Sequence, residues 1–202
     1  MRTFLAFPVN DRIRSLVASL QRHLGKKLEL SGKWTTPANL HLTVLFLGQQ
    51  EQNALDRLAE RLRGPRPANM VPFTLFSGEA GTFGRPPRLI YLGWDEAGSR
   101  QFAELAHWVK QQAVETEMGI SRSDIERKSI PHLTLLRFRH RKQSRKLREV
   151  ADIHRGRIQW HAPLPLPDPP EQLVCRELVL YQSILRPDGP EYRELERFPL
   201  KD

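Results

Sequence analysis

The sequence predicts an α+β fold built mainly from antiparallel strands. Apolar runs of strand length alternate with amphipathic helical segments along the 202 residues. Several of the predicted strands also follow one another with no helix between them. Parallel neighbours need a long crossover connection, so strands that follow one another directly favour antiparallel pairing. The length suits one unit of structure, and we treat residues 1–202 as a single domain.

The elements can be predicted in chain order from periodicity and from glycine and proline positions. Strands are predicted at 3–9, 40–47, 73–77, 89–94, 130–138, 173–185 and 192–200. Apolar residues at helical spacing predict helices around 13–20, 55–62 and 102–113, with Asn10 or Asp11 capping the first. The basic segment 139–148 also has helical spacing. Segments 78–87 and 162–170 are predicted to be irregular because they are rich in glycine or proline, and a turn at 187–190 joins the last two strands.

Composition narrows the function classes. Thirty-two Lys and Arg against twenty-three Asp and Glu give a formal net charge of +9, which favours a polyanionic partner such as nucleic acid. The single cysteine, Cys175, excludes an internal disulfide and a cysteine-rich zinc module, and it suits a reducing cytoplasm. The sequence contains neither an apolar run of membrane-spanning length nor a Gly-rich phosphate loop. We therefore expect a cytoplasmic protein with no membrane association and no nucleotide cofactor.

A repeated motif carries the chemical prediction. HLTVL at 41–45 and HLTLL at 132–136 both lie in predicted apolar strands. Residues i and i+2 of a strand point to the same face, so His41 shares a face with Thr43, and His132 shares one with Thr134. A lone histidine in a strand is more often structural, but a polar face repeated on two apolar strands indicates a shared role.

Two such strands side by side would bring two imidazoles and two hydroxyls together. Threonine hydroxyls can donate to the oxygens of a tetrahedral anion such as phosphate. Histidines can take and give protons near neutral pH. The pattern therefore predicts acid–base catalysis on a phosphate ester. The other five histidines show no metal-ligand spacing, so no metal site is expected.

These residues resemble the paired H-x-T-x signatures of the 2H phosphoesterases. The most similar members are the RNA 2′,3′-cyclic phosphodiesterases of bacteria and archaea, also called 2′-5′ RNA ligases. The resemblance covers most of the chain, at 2–7, 39–48, 81–93, 131–137, 178–185 and 192–198. The basic, proline-rich segment 139–170 departs from the family by its greater length.

The resemblance implies a bilobal fold of two intertwined, pseudo-symmetric lobes, each contributing one motif strand to a central cleft. It implies metal-independent hydrolysis of RNA terminal 2′,3′-cyclic phosphates to 2′-phosphomonoesters, possible reversal as 2′-5′ ligation, and no cofactor. By the same resemblance His41 is the proton donor and His132 the proton acceptor, although the residues alone do not separate the two roles. Thr43 and Thr134 would stabilise charge on phosphorus. The expected partner is a tRNA-like or short RNA with a cyclic phosphate end, bound by a monomer without an obligate protein partner.

Further residues are candidates for substrate binding. Arg137 follows the second motif, but strand alternation places it on the opposite face from His132, so it needs a twist or a bulge to reach phosphate. Phe7, Phe46 and Tyr91 could stack on a nucleobase, although aromatic residues in strands are usually core. The basic run that begins at Arg137 predicts contact with an RNA backbone; it comprises Arg137, Arg139, His140, Arg141, Lys142, Arg145, Lys146 and Arg148.

Two other functions stay open from the sequence. One is a 2H phosphodiesterase acting on 2′-5′ oligonucleotides or small cyclic nucleotide phosphates. The other is a non-catalytic RNA-binding module in which the motifs only hold a phosphate.

Overall fold

The computed structural model describes residues 1–120, 122–187 and 189–200. The first half of the chain forms β1 (Arg2–Pro8), α1 (Asp11–Lys26), β2 (Lys33–Trp34), β3 (His41–Gln49), α2 (Gln52–Arg63), β4 (Phe73–Phe83), β5 (Leu89–Trp94) and α3 (Glu96–Glu115). The second half forms α4 (Arg122–Glu126), β6 (Leu133–Arg137), α5 (Arg141–Val150), β7 (Ala151–His154), β8 (Arg157–Trp160), β9 (Gln172–Cys175), β10 (Glu177–Arg186) and β11 (Gly189–Pro199).

The strands form two antiparallel sheets. The first has the order β11-β10-β1-β3, and the second has the order β2-β6-β5-β4-β8-β7, with β9 paired to one part of β4. The pairings between these strands are antiparallel, and helices flank both sheets. The α+β class predicted from the sequence is confirmed.

The first sheet combines strands that are distant in the sequence. In it β1 pairs with β10, and Phe4 lies opposite Tyr181. The second sheet is formed entirely by the chain between β3 and β10, apart from the two residues of β2. The prediction of one continuous strand at 173–185 is therefore wrong. The pairing breaks at Arg176, because β9 hydrogen-bonds to β4 in one place and β10 hydrogen-bonds to β1 in another.

Two other predictions in the second sheet need correction. The segment 78–87 is not an irregular loop throughout, because β4 continues to Phe83 and pairs with β5 along this length. Gly81 belongs there for a packing reason, since a Cβ at this position would overlap the Tyr91 ring on the neighbouring strand. The hairpin of β7 and β8 was not predicted, because its strands have only four residues each.

The helices follow the predicted spacing and extend it. In α1 the apolar face is fully buried, and the side chain of Asn10 caps the helix by accepting a hydrogen bond from the Ile13 amide at 2.9 Å. This helix contacts β6 and β9, whereas α3 contacts β3 and β4. The predicted basic helix is present as α5, and 162–170 is irregular as expected. Within the described residues, no helix has the length and apolarity needed to span a membrane.

Candidate active site

Each motif strand presents its histidine and its threonine to one cleft. In β3 the burial alternates, with His41 and Thr43 partly exposed and Leu42 buried. Along β6 the same alternation leaves Thr134 accessible between the buried Leu133 and Leu135. His132 lies just before this strand rather than inside it, and it follows Pro131, which has no amide hydrogen for a strand ladder. The alternation predicted from the sequence places all four polar side chains on the cleft face.

A β-bulge in each strand brings one more side chain to the cleft. In β6 the pairing with β5 steps from Leu136 to Thr134, so Leu135 has no partner and is the extra residue. In β3 the pairing with β1 steps from Leu45 to Thr43, so Val44 is extra. The bulges reverse the alternation, so Arg137 and Phe46 face the same side as the threonines. The bulge that Arg137 was expected to require is present.

The two imidazoles are oriented by equivalent hydrogen bonds. His41 Nδ1 lies 2.9 Å from the Asn39 carbonyl oxygen, and His132 Nδ1 lies 2.9 Å from the Ile130 carbonyl oxygen. A carbonyl oxygen only accepts, so Nδ1 carries the hydrogen in both rings. In the neutral form each Nε2 therefore has a free lone pair, which is the state that a general base requires.

Aromatic rings support both histidines. His41 packs against Phe4 at 4.7 Å and against Tyr192 in an edge-on geometry at 5.0 Å between centroids. His132 packs edge-on against Phe83 at 4.9 Å and against Tyr91 at 5.6 Å. These contacts and the carbonyl hydrogen bonds restrict the rotation of both imidazoles.

Burial and nearby positive charge make both imidazoles hard to protonate. Burial is the main cause that lowers the pKa of His41 from 6.5 to about 4, and the charges of His132 and Arg137 add to it. The pKa of His132 is lowered by burial and by Arg137. The hydrogen bonds to Asn39 and Ile130 oppose both shifts. Without an anion in the cleft, both rings are therefore neutral near pH 7.

The cleft is small and carries donors suited to a phosphate. It has a volume of about 190 Å³ and is lined by both histidines and both threonines, together with Arg137, Phe46, Lys33 and Tyr192, among others. Arg137 Nη2 lies 3.5 Å from Thr134 Oγ1, which places its charge beside the second motif. Arginine and threonine donors converging with two imidazoles can hold an anion and transfer protons to and from it.

The predicted aromatic contacts divide into three cases. Phe46 is 61% exposed at the edge of the cleft, as a stacking residue must be. Tyr91 is half-buried behind His132 and does not line the cleft directly. The expectation for Phe7 is wrong, because Phe7 is 1% exposed and packs against Phe73 and Phe102. Its neighbour Ala6 pairs with Thr43 on the cleft side, so alternation turns Phe7 into the core.

The basic run after the second motif extends from the end of β6 through α5. Most of its side chains are exposed, but Lys146 is engaged in ion pairs with Glu29 at 3.2 Å and Glu149 at 3.0 Å. His140 caps the helix together with Gln143. Of the whole run, Arg137 is the residue that lines the cleft. Contact of the other basic residues with an RNA backbone stays a prediction.

Two residues that position His41 were not predicted. Tyr192 supports His41, and Asn39 orients it while its side-chain amide donates to the Pro190 carbonyl at 2.9 Å. These contacts join β3 and the turn just before it to β11, which is distant in the sequence, so no local pattern indicates them. Within the described residues, no three His, Cys, Asp or Glu side chains lie close enough together to hold a metal ion.

Comparison with known proteins gives consistent matches. The profile of a family described as LigT-like phosphoesterase matches residues 7–91. The chain is 34% identical to the RNA 2′,3′-cyclic phosphodiesterase of Archaeoglobus fulgidus, covering 98% of this chain and 99% of that protein. It is 27% identical to the enzyme of the same name from Thermotoga maritima, covering 96% and 93%. A crystal structure from Thermus thermophilus superposes with a TM-score of 0.72 over 100% of this chain and 98% of that one, at 24% identity.

Proposed function

Because the chain belongs to the family of LigT-like phosphoesterases, we propose that it hydrolyses the 2′,3′-cyclic phosphate at the end of an RNA. The activity is that of the curated relatives, which are named RNA 2′,3′-cyclic phosphodiesterases. The observation that supports it most strongly is the pair of His-Thr strands that face one cleft with matching Nδ1 hydrogen bonds. The product is a 2′-phosphomonoester with a free 3′-hydroxyl.

The proposed mechanism uses the two imidazoles in opposite protonation states. His132 Nε2 takes a proton from a water molecule as the water oxygen attacks phosphorus. The bond between phosphorus and O3′ breaks, and protonated His41 donates its Nε2 proton to O3′. The cycle closes when His132 loses a proton to solvent and His41 gains one. The assignment of His41 as donor follows the family resemblance.

The threonines and Arg137 would act on the phosphate itself. Thr43 and Thr134 donate to its non-bridging oxygens, whose charge increases in the transition state. Arg137 adds a fixed positive charge beside Thr134. Phe46, exposed at the cleft edge, would stack on the terminal base, and Tyr91 would hold His132 in place from behind the cleft. No step of this mechanism uses a metal ion.

The same site would permit the reverse reaction. If a 5′-hydroxyl of RNA replaces water, the identical proton transfers join two strands through a 2′-5′ linkage. We further propose that the protein acts as a monomer in the cytoplasm. The single cysteine, which is buried, supports the reducing compartment.

The first test is hydrolysis of a short RNA that ends in a 2′,3′-cyclic phosphate, with a chelator present. We expect a 2′-phosphate product, and we expect His41→Asn and His132→Asn each to lower kcat by about 10²- to 10⁴-fold, the usual contribution of one acid or base. His107→Asn, which changes an exposed histidine on α3, is the matched control and should leave kcat unchanged.

The alternatives give different results. A non-catalytic RNA-binding module would show no turnover in the wild type while still binding RNA. A 3′-phosphate product would keep the enzyme but reverse the leaving group and therefore the His41 assignment. Turnover that persists in either cleft variant would contradict the two-histidine mechanism.

A further inference from the structure

A row of paired residues leads from the cleft across the second sheet. Thr134 pairs with Tyr91, Tyr91 pairs with Gly81, and Gly81 pairs with Arg157. Directly opposite residues of antiparallel strands project from the same face. The Arg157 side chain therefore emerges on the face that carries Thr134. Three steps between neighbouring strands separate the two residues by about 14 Å.

The Tyr91 side chain covers the space between these two residues. Its ring lies over Gly81, where any Cβ would overlap it. It also stacks on Phe83, with 4.5 Å between centroids and 25° between the ring planes. Burial raises the pKa of the Tyr91 phenol, and the charge of Arg157 opposes this rise, which indicates a guanidinium near the phenol. The surface between His132 and Arg157 is therefore formed by the rings of Tyr91 and Phe83.

A larger basic groove begins where this aromatic surface ends. It has a volume of about 1030 Å³ and lies between the β4–β5 connection and the turn of the β7–β8 hairpin. Phe83 lines the groove and also contacts His132, so the groove is adjacent to the catalytic cleft. Its basic lining side chains include Arg85, Arg148 and Arg155.

Among the residues that the structure describes, the arginines of this surface have no acidic partners. Arg85, Arg148, Arg155 and Arg157 are exposed, and within the described residues none of them forms an ion pair. The carboxylate in the groove lining, Asp152, interacts with His161 at 3.3 Å. Unpaired guanidinium groups on one surface attract phosphates. Each guanidinium can bind a phosphate with two parallel hydrogen bonds, and binding releases counterions from the RNA backbone.

We propose that this surface binds the single-stranded RNA segment that precedes the cyclic phosphate. The strand leaves the cleft at His132, crosses the rings of Tyr91 and Phe83, and places its backbone phosphates against Arg157 and Arg155. At about 3.4 Å per stacked nucleotide, the 14 Å to Arg157 corresponds to about four nucleotides. The proposal rests on the proposed function, since it assigns a binding site to the upstream part of the same substrate.

The experiment compares two substrates of different length. One is a mononucleotide 2′,3′-cyclic phosphate, which fills only the cleft, and the other is an eight-nucleotide single-stranded RNA with the same end. We expect the double variant Arg155→Gln/Arg157→Gln to raise KM for the octamer by about tenfold at low salt. For this variant, the slope of log KM against the logarithm of salt concentration should be lower by about 1.4, because two phosphate contacts on a single strand are lost. Its kcat/KM for the mononucleotide should stay within about twofold of the wild type.

The matched control is Arg12→Gln/Arg100→Gln, which removes two exposed arginines that line neither the cleft nor the groove. It should leave KM and kcat/KM unchanged for both substrates. An unchanged octamer KM in the groove variant, or equal losses with both substrates, would overturn the proposal. So would equally tight binding of a duplex octamer, because the rings of Tyr91 and Phe83 would then have no unpaired base to contact.

Equilibrium binding separates this proposal from the proposed function. The same variants are titrated with an octamer RNA that carries a terminal phosphate and is not turned over. If the wild type hydrolyses neither substrate, the proposed function fails, while weaker octamer binding by the groove variant still supports the binding surface. If hydrolysis is normal and octamer binding is equal in both proteins, only the binding surface is rejected.

Discussion

Each imidazole in the cleft is held by a carbonyl two residues earlier in the chain. This arrangement needs no carboxylate to orient the ring, unlike a triad in which an acidic group performs that task. An acidic partner would raise the pKa of the histidine and would repel a phosphate anion. The carbonyl orients the ring with a smaller effect on the histidine pKa and on the binding of an anion, so the cleft keeps its attraction for phosphate.

In the proposed mechanism, where His41 is the proton donor, its low pKa predicts a specific pH dependence. A donor must be protonated, so the rate falls as the pH rises through the pKa of the donor. In the free protein this pKa is about 4, but a bound phosphate anion favours the charged imidazole and raises it. Since kcat/KM reports the free protein and kcat the complex, the alkaline limb of kcat should lie at higher pH than that of kcat/KM.

The measurement is a pair of pH–rate profiles with a mononucleotide cyclic phosphate. Arg137→Gln is informative beside it, because removing this charge should raise the pKa of His41 and His132 in the free protein. Nuclear magnetic resonance titration of the two imidazoles would detect that change. Alkaline limbs that coincide would contradict the role of the substrate anion in protonating His41.

At the level of elements, the bulge in β6 decides whether Arg137 can reach the cleft. The carbonyl of the bulged residue Leu135 accepts hydrogen bonds from the Thr35 amide at 3.1 Å and from Gln21 Nε2 at 3.0 Å. Gln21 Nε2 also donates to the Thr35 carbonyl at 2.8 Å. The helix α1 therefore stabilises the irregular part of the strand from outside the cleft.

Gln21→Met should weaken the bulge and displace Arg137. Two carbonyls lose a partly buried donor, which we expect to lower the free energy of unfolding by about 1–3 kcal/mol. If Arg137 binds the phosphate, KM should increase more than kcat decreases. Gln101→Met on α3 changes an exposed glutamine and serves as the control for folding and side-chain volume. A variant with lower stability but unchanged KM would show that Gln21 has only a structural role.

The sequence predicted the face that lines the cleft because strand alternation is a local property. His41 and Thr43 are two residues apart, and no distant contact is needed to place them on one side. The bulges at Val44 and Leu135 depend on pairing with other strands, so Phe46 reached the cleft for a reason that the sequence does not show. The prediction for Phe7 was wrong for a similar reason, because the register of β1 against β3 decides which of its side chains face the cleft.

Larger errors in the predicted strands arose where one apolar run contributes strands to both sheets. The run at 173–185 contains residues of strand type throughout, and only its partners divide it into β9 and β10. The β7–β8 hairpin was missed because its two strands are short. The position of Arg157 on the face of Thr134 depends on its pairing with Gly81, which the sequence alone does not indicate.

For the molecule as a whole, the cleft histidines should make the folded state sensitive to acid. The folded pKa of His41 is about 4, and an unfolded histidine titrates near 6.5, so between these values the unfolded chain binds more protons. The stability linked to His41 is therefore complete above about pH 6.5 and is lost as the pH falls towards 4. The full loss is about 3 kcal/mol, and His132 contributes in the same direction.

Urea unfolding of the wild type and of His41→Asn at pH 7.5, 6 and 5 measures this contribution. Carboxylates titrate in both proteins, so the difference between them isolates the histidine. The variant should lose less stability than the wild type between pH 7.5 and 5. An equal loss in both proteins would contradict the burial of an uncharged His41.

The pairing of β1 with β10 also sets an order of events during synthesis. The ribosome synthesises β1, β3 and all strands of the second sheet before it reaches β10 and β11, which complete the first sheet. Until then His41 lacks Tyr192, and Asn39 lacks the carbonyl of Pro190. A nascent chain therefore carries both histidines without a finished cleft. The proposed hydrolysis of a cyclic phosphate therefore has to wait until β10 and β11 have been synthesised and have paired.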